Sequence, residues 1–137
     1  MISARPTARD SLLFVYGTLR AFVATAAGER LRRQSCLVGY ARVAGRLYDL
    51  GRYPGLAEPR RAGDWVTGEL YRLRTPRPTL RALDRYELGA WPVPARFTRE
   101  RAIAHLARGS RRRVWVYRFL GPVHAERKIA GGDYARR

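Results

Sequence analysis

Apolar residues in this chain gather in short runs more often than in long helical stripes. Leu12-Leu13-Phe14-Val15-Tyr16 is continuous, rich in strand formers and stopped by Gly17, which predicts a buried strand. From Cys36 to Leu50 the pattern alternates in part through Val38, Tyr40, Val43, Leu47 and Tyr48, with Gly39 and Gly45 marking bends or bulges. Trp65, Val66, Leu70, Tyr71 and Leu73 mark a further strand, ended by Thr75-Pro76-Arg77-Pro78. Phe97–Leu106 and Val114–Leu120 flank Arg108-Gly109-Ser110 and read as a β-hairpin. Two segments read as helices. One is the Ala-rich stretch 21–33, which Gly28 weakens; the other starts near Thr79 and places Leu80, Leu83 and Tyr86 three apart. Strand, helix, several strands, helix and hairpin in that order predict an α+β domain on a closed or nearly closed sheet.

The intervening segments are punctuated by glycine and proline. Gly51-Arg52-Tyr53-Pro54-Gly55 predicts a turn, residues 88–95 a loop, and the tail from Gly121 an irregular path. Residues 1–11 read as a loose N-terminal arm and residues 12–134 as the folded domain. A chain of 137 residues with 46% apolar content fits one domain with one core. The single cysteine, Cys36, excludes a disulfide within the chain and any Cys-rich zinc site; it is expected to be buried near the start of a strand. Residues 1–10 are polar, no secretory signal is evident, and no apolar run approaches the ~18 residues of a membrane span, so the expectation is a cytoplasmic protein.

Charge adds a partner to this picture. The formal net charge is +17, from 28 basic against 11 acidic residues. Lys128 is the only lysine and asparagine is absent, a skew that base composition can explain. Base composition does not explain the excess of positive over negative charge, so nucleic acid or another polyanion stays among the partners to test. Arg111-Arg112-Arg113 and Arg30, Arg32 and Arg33 are the local clusters; a solvated turn and a solvated helix face would show the same composition.

Two segments carry candidate chemistry. In Tyr16-Gly17-Thr18-Leu19 a buried strand runs into glycine and a small hydroxyl residue, where consecutive N–H groups can cradle a carboxylate or an oxyanion; an ordinary strand-to-helix turn has the same composition. In Leu83-Asp84-Arg85-Tyr86-Glu87 the glutamate falls at the C-terminal end of the predicted helix. The helix dipole disfavours a negative charge there, as burial would, and a carboxyl raised in this way serves as general base and acid. A solvated glutamate paired with one of the arginines is the alternative. His105 and His124 have no third ligand spaced around them, so no metal site is expected. There is no nucleophile elbow, Walker sequence or dinucleotide fingerprint, and no cofactor is expected.

Taken in order, these segments resemble the gamma-glutamyl cyclotransferase-like superfamily, on its gamma-glutamylamine cyclotransferase and avirulence-induced-protein-like branch. The resemblance runs through Leu13–Arg20, Gly45–Leu50, Tyr53–Leu56, Gly68-Glu69-Leu70-Tyr71, Leu83–Glu87, Phe97-Thr98-Arg99, Trp115-Val116-Tyr117 and Ile129–Tyr134. It implies a mixed-strand barrel with a few packed helices. It also implies a chemistry in which the free α-amino group of a γ-glutamyl compound attacks its own γ-carbonyl, giving 5-oxoproline and a released amine. The substrate then supplies the nucleophile, and the protein supplies orientation, proton transfer and charge stabilisation. The resemblance makes Glu87 the catalytic residue and Tyr16, Gly17, Thr18 and Leu19 the substrate-binding loop. Tyr117 joins them as a hydroxyl lining the pocket, with a core tyrosine as its alternative. Phe97 stands where the family usually has tyrosine, and Ala90–Pro94 is longer and more apolar than the family pattern, so the leaving-group side is expected to differ. A catalytically silent member acting as a basic binding module is the competing reading.

Overall fold

A computed structural model describes residues 11–86 and 96–137. The N-terminal arm, apart from Ser11, and the segment 87–95 therefore lie outside the described residues. Ser11, counted with the arm, is buried.

Among the described residues, seven strands and two α-helices follow one another as β1 (Leu12–Val15), α1 (Ala26–Arg33), β2 (Ser35–Ala44), β3 (Arg46–Asp49), β4 (Pro54–Ala57), β5 (Trp65–Leu73), α2 (Pro76–Asp84), β6 (Phe97–Leu106) and β7 (Arg111–Phe119). Five strands close a barrel in the order β1-β5-β2-β6-β7, and β3 and β4 form a separate two-stranded sheet. Every barrel pairing is antiparallel except the closing one, where β1 meets β7 in parallel at Leu13 and Trp115. Glycine at position 39 marks a real irregularity, since the β2–β5 register shifts between Leu37 and Gly39.

Strand alternation divides the core in two. Leu12 and Phe14 of β1 and Val114 and Val116 of β7 point inward and pack with Val43, Val66, Leu70 and Ala104. Leu13, Val15 and Tyr117, from the same strands, point outward and pack with Leu31 of α1 and Leu80 and Leu83 of α2. Strand β1 is thus buried on both faces, which explains why it reads as an unbroken apolar run. Each such fully buried side chain contributes roughly 1.5–3 kcal/mol. The tail after β7 seals one end, with Ile129 N–H bonded to the Leu47 carbonyl and Thr67 N–H to the Gly132 carbonyl.

Four expectations shift. Helix α1 starts at Ala26 rather than near residue 21, because the Thr25 side chain accepts from Gly28 N–H and caps it, while Ala21 N–H is taken by Glu69. Helix α2 starts at Pro76 rather than near Thr79, since proline in the first turn loses no hydrogen bond. The predicted turn at 51–55 is shorter, because Pro54 and Gly55 already pair with Asp49 and Tyr48 as β4. Cys36 is exposed rather than buried: Ser35 takes the phase covered by the helices, and Cys36 pairs with the exposed Arg72 near the end of its strand with its Sγ 3.6 Å from Arg74. No helix among the described residues is long and apolar enough to cross a membrane.

One buried ionic cluster fixes the loop that follows β1. Glu69 projects from the outer face of β5 and is 4% exposed. Its carboxylate accepts from Arg20 Nε (3.3 Å), Ala21 N–H (3.0 Å) and the Tyr71 hydroxyl (2.8 Å). Arg20 also donates to Asp133 Oδ1 at 2.7 Å, which ties the loop to the C-terminal segment. Burial, together with the hydrogen bond and charge of Glu69, pushes the Tyr71 phenol up to about 12.

Two tests follow from this packing. An added Cβ at Gly68 would lie 2.2 Å from the Val15 carbonyl oxygen, whereas one at Gly63 meets nothing within 4 Å. Gly68→Ala is expected to lower stability by about 3 kcal/mol and Gly63→Ala by less than about 1, measured by urea denaturation. Because Tyr71 keeps its proton in the folded chain to higher pH than in the unfolded one, its contribution is whole below pH ~10 and is lost as pH rises toward about 12. Tyr71→Phe is expected to be less stable than wild type at neutral pH, with the gap closing across that interval in denaturation curves taken at successive pH values.

Candidate active site

The loop Tyr16–Leu19 leaves the end of β1 and is held from three sides. The Tyr16 hydroxyl donates to the Tyr117 carbonyl (2.7 Å) and accepts from Leu56 N–H (3.2 Å), joining β1, β7 and β4 at one point. Pro54 packs on Gly17 so closely that a Cβ there would stand 2.6 Å from the proline Cγ. Glycine is required by this contact, which the sequence reading attributed to approach of a ligand. From the third side, the Thr25 hydroxyl donates to the Thr18 carbonyl (3.1 Å) and Arg32 of α1 to the Leu19 carbonyl (3.4 Å).

These contacts orient the backbone. A trans peptide points its N–H opposite to its C=O, so the Thr18 carbonyl facing Thr25 turns Leu19 N–H away from α1. Arg20 N–H is used within the turn, on the Gly17 carbonyl at 3.0 Å. Among the described residues, no turn or loop backbone hydrogen bond takes the N–H of Gly17, Thr18 or Leu19. The loop borders a crevice whose other wall is Tyr53, Pro54 and Tyr117. Its open volume is about 20 Å³, enough for a carboxylate or oxyanion oxygen at the loop and not for a whole substrate.

All four loop residues of the sequence reading line this crevice, and so does Tyr117. The hydroxyls of Tyr16 and Tyr117 are committed to the frame, however. Tyr117 Oη donates to Asp84 Oδ1 at 2.7 Å, and Asp84 also receives Arg99 through Nε (2.8 Å) and a terminal nitrogen (3.1 Å). Glu87 lies outside the described residues. Its immediate neighbour in the chain, Tyr86, closes a last turn beyond α2 and brings its hydroxyl to 3.3 Å from Thr18 Oγ1. The end of α2 therefore meets the loop one residue before Glu87.

Sequence reasoning missed the residues that hold the site. Glu69 and Arg20 set the loop from beneath, Asp84 and Arg99 fix Tyr117, and Tyr53 and Pro54 form the facing wall. Glu69 carried a legible signal, the one acid of its strand set between Gly68 and the apolar Leu70 and Tyr71, which demands a partner when buried. Tyr53 and Pro54 were hidden by the turn-like composition around them.

Comparisons with known proteins bear on the fold and the family. YkqA from Bacillus subtilis superposes with a TM-score of 0.69 at 24% identity; 92% of this chain is covered, and it spans 40% of that protein's length. An uncharacterized protein, PH0828, from Pyrococcus horikoshii gives 0.66 at 14% identity, with 91% and 90% of the two chains covered. An aig2-like protein from mouse gives 0.64 at 22% identity, with 83% and 85% covered. At these identities the likeness establishes the fold. A search of curated sequences gives no match. The family model for gamma-glutamyl cyclotransferase, AIG2-like proteins matches residues 13–136, which takes in both core layers, the loop and the C-terminal seal, and the chain belongs to that family.

Proposed function

We propose that the protein closes a γ-glutamyl amine or γ-glutamyl amino acid to 5-oxoproline and releases the amine, with Glu87 as general base and then acid. Family membership supports a cyclotransferase-type activity in general terms. The observation that carries the finer reading is the loop: two of its carbonyls are tied to Thr25 and Arg32, its four residues line the crevice, and Tyr86, next to Glu87 in the chain, reaches it.

The reaction balances without water or a cofactor. The substrate's α-amino nitrogen bonds to its γ-carbonyl carbon, the carbonyl oxygen gains negative charge, and the bond to the leaving nitrogen then breaks. An α-amino group has a pKa near ~8 and is mostly protonated at neutral pH, so a proton must first be removed. Glu87 takes the ammonium proton and passes it on, the attacking nitrogen sheds its second proton as the ring closes, and the leaving nitrogen gains both, departing as an ammonium ion. Backbone N–H groups at Thr18 and Leu19 stabilise the oxyanion or hold the substrate carboxylate. Orientation supplies a large share of the rate because the attack is intramolecular. Tyr16 and Tyr117 shape the wall through their rings, with the Tyr16 hydroxyl held by Leu56 N–H and the Tyr117 carbonyl and the Tyr117 hydroxyl held by Asp84.

The test is 5-oxoproline release from a panel of γ-glutamyl amines and γ-glutamyl dipeptides. Wild type is expected to turn over at least one. Glu87→Gln is expected to lose roughly 10²–10⁴-fold in rate with an unchanged thermal transition. Equal release by the variant would remove Glu87 from the mechanism.

A further inference from the structure

The barrel wears its helices on one side. Helices α1 and α2 cover the outward residues of β1 and β5, burying Leu13, Val15, Tyr71 and Leu73. The outward residues of β2 and of the β6–β7 hairpin are different in kind. On β2 these are Tyr40, 65% exposed, and Arg42. Across from Arg42 lies His105 of β6, followed outward along that strand by Ile103, 47% exposed, and Arg101. Their direct partners on β7 are Arg111, Arg113 and Trp115. Residues directly opposite in antiparallel strands share a face, so these side chains form one continuous surface.

Three features of this surface point to one kind of partner. First, its charge has one sign. The only acid on the hairpin strands, Glu100, sits in the other phase and pairs with Arg118; Glu69, on the outer face of β5, is buried under Arg20. Among the described residues no carboxylate lies in ion-pair range of Arg42, Arg111 or Arg113. Second, arginines and aromatic rings are stacked in layers. The Arg42 guanidinium lies 4.3 Å from the Trp65 ring centroid, with His105 edge-on to that ring at 5.0 Å, and Arg101 lies 3.9 Å from Trp115. Such stacks hold planar cations flat and pre-ordered. Third, an open groove of about 440 Å³ runs between Tyr40, Arg42, Thr67 and His105. A second copy of the chain would set Arg42, Arg111 and Arg113 against their equals, and a neutral apolar partner would leave them unpaired. A chain of phosphates carrying unstacked planar bases satisfies both the charge and the ring faces.

We infer that the outer face of β2, β6 and β7 binds single-stranded nucleic acid, with Arg42, Arg111 and Arg113 on the phosphates and Tyr40 as a stacking platform for a base. This face lies on the barrel wall left bare by the helices, and its use is independent of turnover in the crevice.

The experiment is fluorescence anisotropy of a fluorescein-labelled oligouridylate, titrated at several salt concentrations with wild type and two charge-matched double variants. Arg42→Glu with Arg113→Glu is expected to weaken binding about tenfold or more and to flatten the log–log salt slope by about two. Arg33→Glu with Arg77→Glu, exposed on α1 and α2, makes the same change in net charge and is expected to alter affinity less than about threefold. Tyr40→Ala is expected to weaken the single strand about fivefold or more and leave a duplex of equal length unaffected. No binding by wild type at low salt overturns the inference, as does an equal loss in both double variants, which would mark diffuse attraction to net charge. Tighter binding of the duplex, or an unaltered Tyr40→Ala, overturns the single-strand assignment. All five positions are exposed, so circular dichroism of each variant is expected to match wild type.

Discussion

The buried carboxylate of Glu69 is the contact on which the candidate site depends. A strand residue alone in an apolar wall costs several kcal/mol to desolvate as an ion, and removing one partner of such a pair typically costs about 3–5 kcal/mol. Here the charge is met by Arg20, Ala21 N–H and Tyr71, and two of these three donors belong to the chain just after the Tyr16–Leu19 loop. Arg20 passes the constraint on to Asp133, whose side chain also accepts from Ala135 N–H and so caps the C-terminal turn. The arrangement makes sense as specificity rather than as stability: a hydrophobic pair of the same size could fill the space, but it would not dictate where the loop leaves the barrel.

From that anchor the geometry of the crevice follows in steps. The loop cannot slide over β4, because Pro54 touches Gly17. It cannot lift from α1, because Thr25 and Arg32 hold two of its carbonyls. Planar peptides then leave Leu19 N–H facing away from that helix, a pre-arranged donor of the kind that stabilises developing negative charge without reorganisation. The opposite wall is equally constrained, with Tyr117 fixed by Asp84 and Asp84 by Arg99, whose guanidinium also lies 4.4 Å from the Trp115 ring centroid. A chemistry that borrows its nucleophile from the substrate needs this kind of rigid frame more than it needs reactive side chains.

Much of this was legible in the sequence where a pattern had one physical meaning. The unbroken run at Leu12–Tyr16 could only be a strand buried on both faces, and the hairpin around Arg108-Gly109-Ser110 announced itself by its turn. Strand β4 was not legible, because Tyr53-Pro54-Gly55 carries turn chemistry and only pairing with Tyr48 and Asp49 makes it a strand. Thr25 was an N-cap in plain view, outweighed by the alanines before it. Cys36 was misjudged because composition says how often cysteine is buried and nothing of strand phase. The loop residues were legible as a group. The commitment of the Tyr16 and Tyr117 hydroxyls was not, since their partners are a carbonyl and a carboxylate brought from 101 and 33 positions away. The +17 charge was visible at once, but that Arg42, Arg111 and Arg113 share one face required the barrel.

The central claim is that the loop after β1 is an anion site set by the Glu69–Arg20 anchor. The most direct test is to titrate 5-oxoproline into ¹⁵N-labelled protein and follow the backbone amide resonances. The account predicts the largest shifts at Thr18 and Leu19, and their loss in Glu69→Gln. Shifts confined to amides outside the loop, or loop shifts that survive in Glu69→Gln, would contradict it.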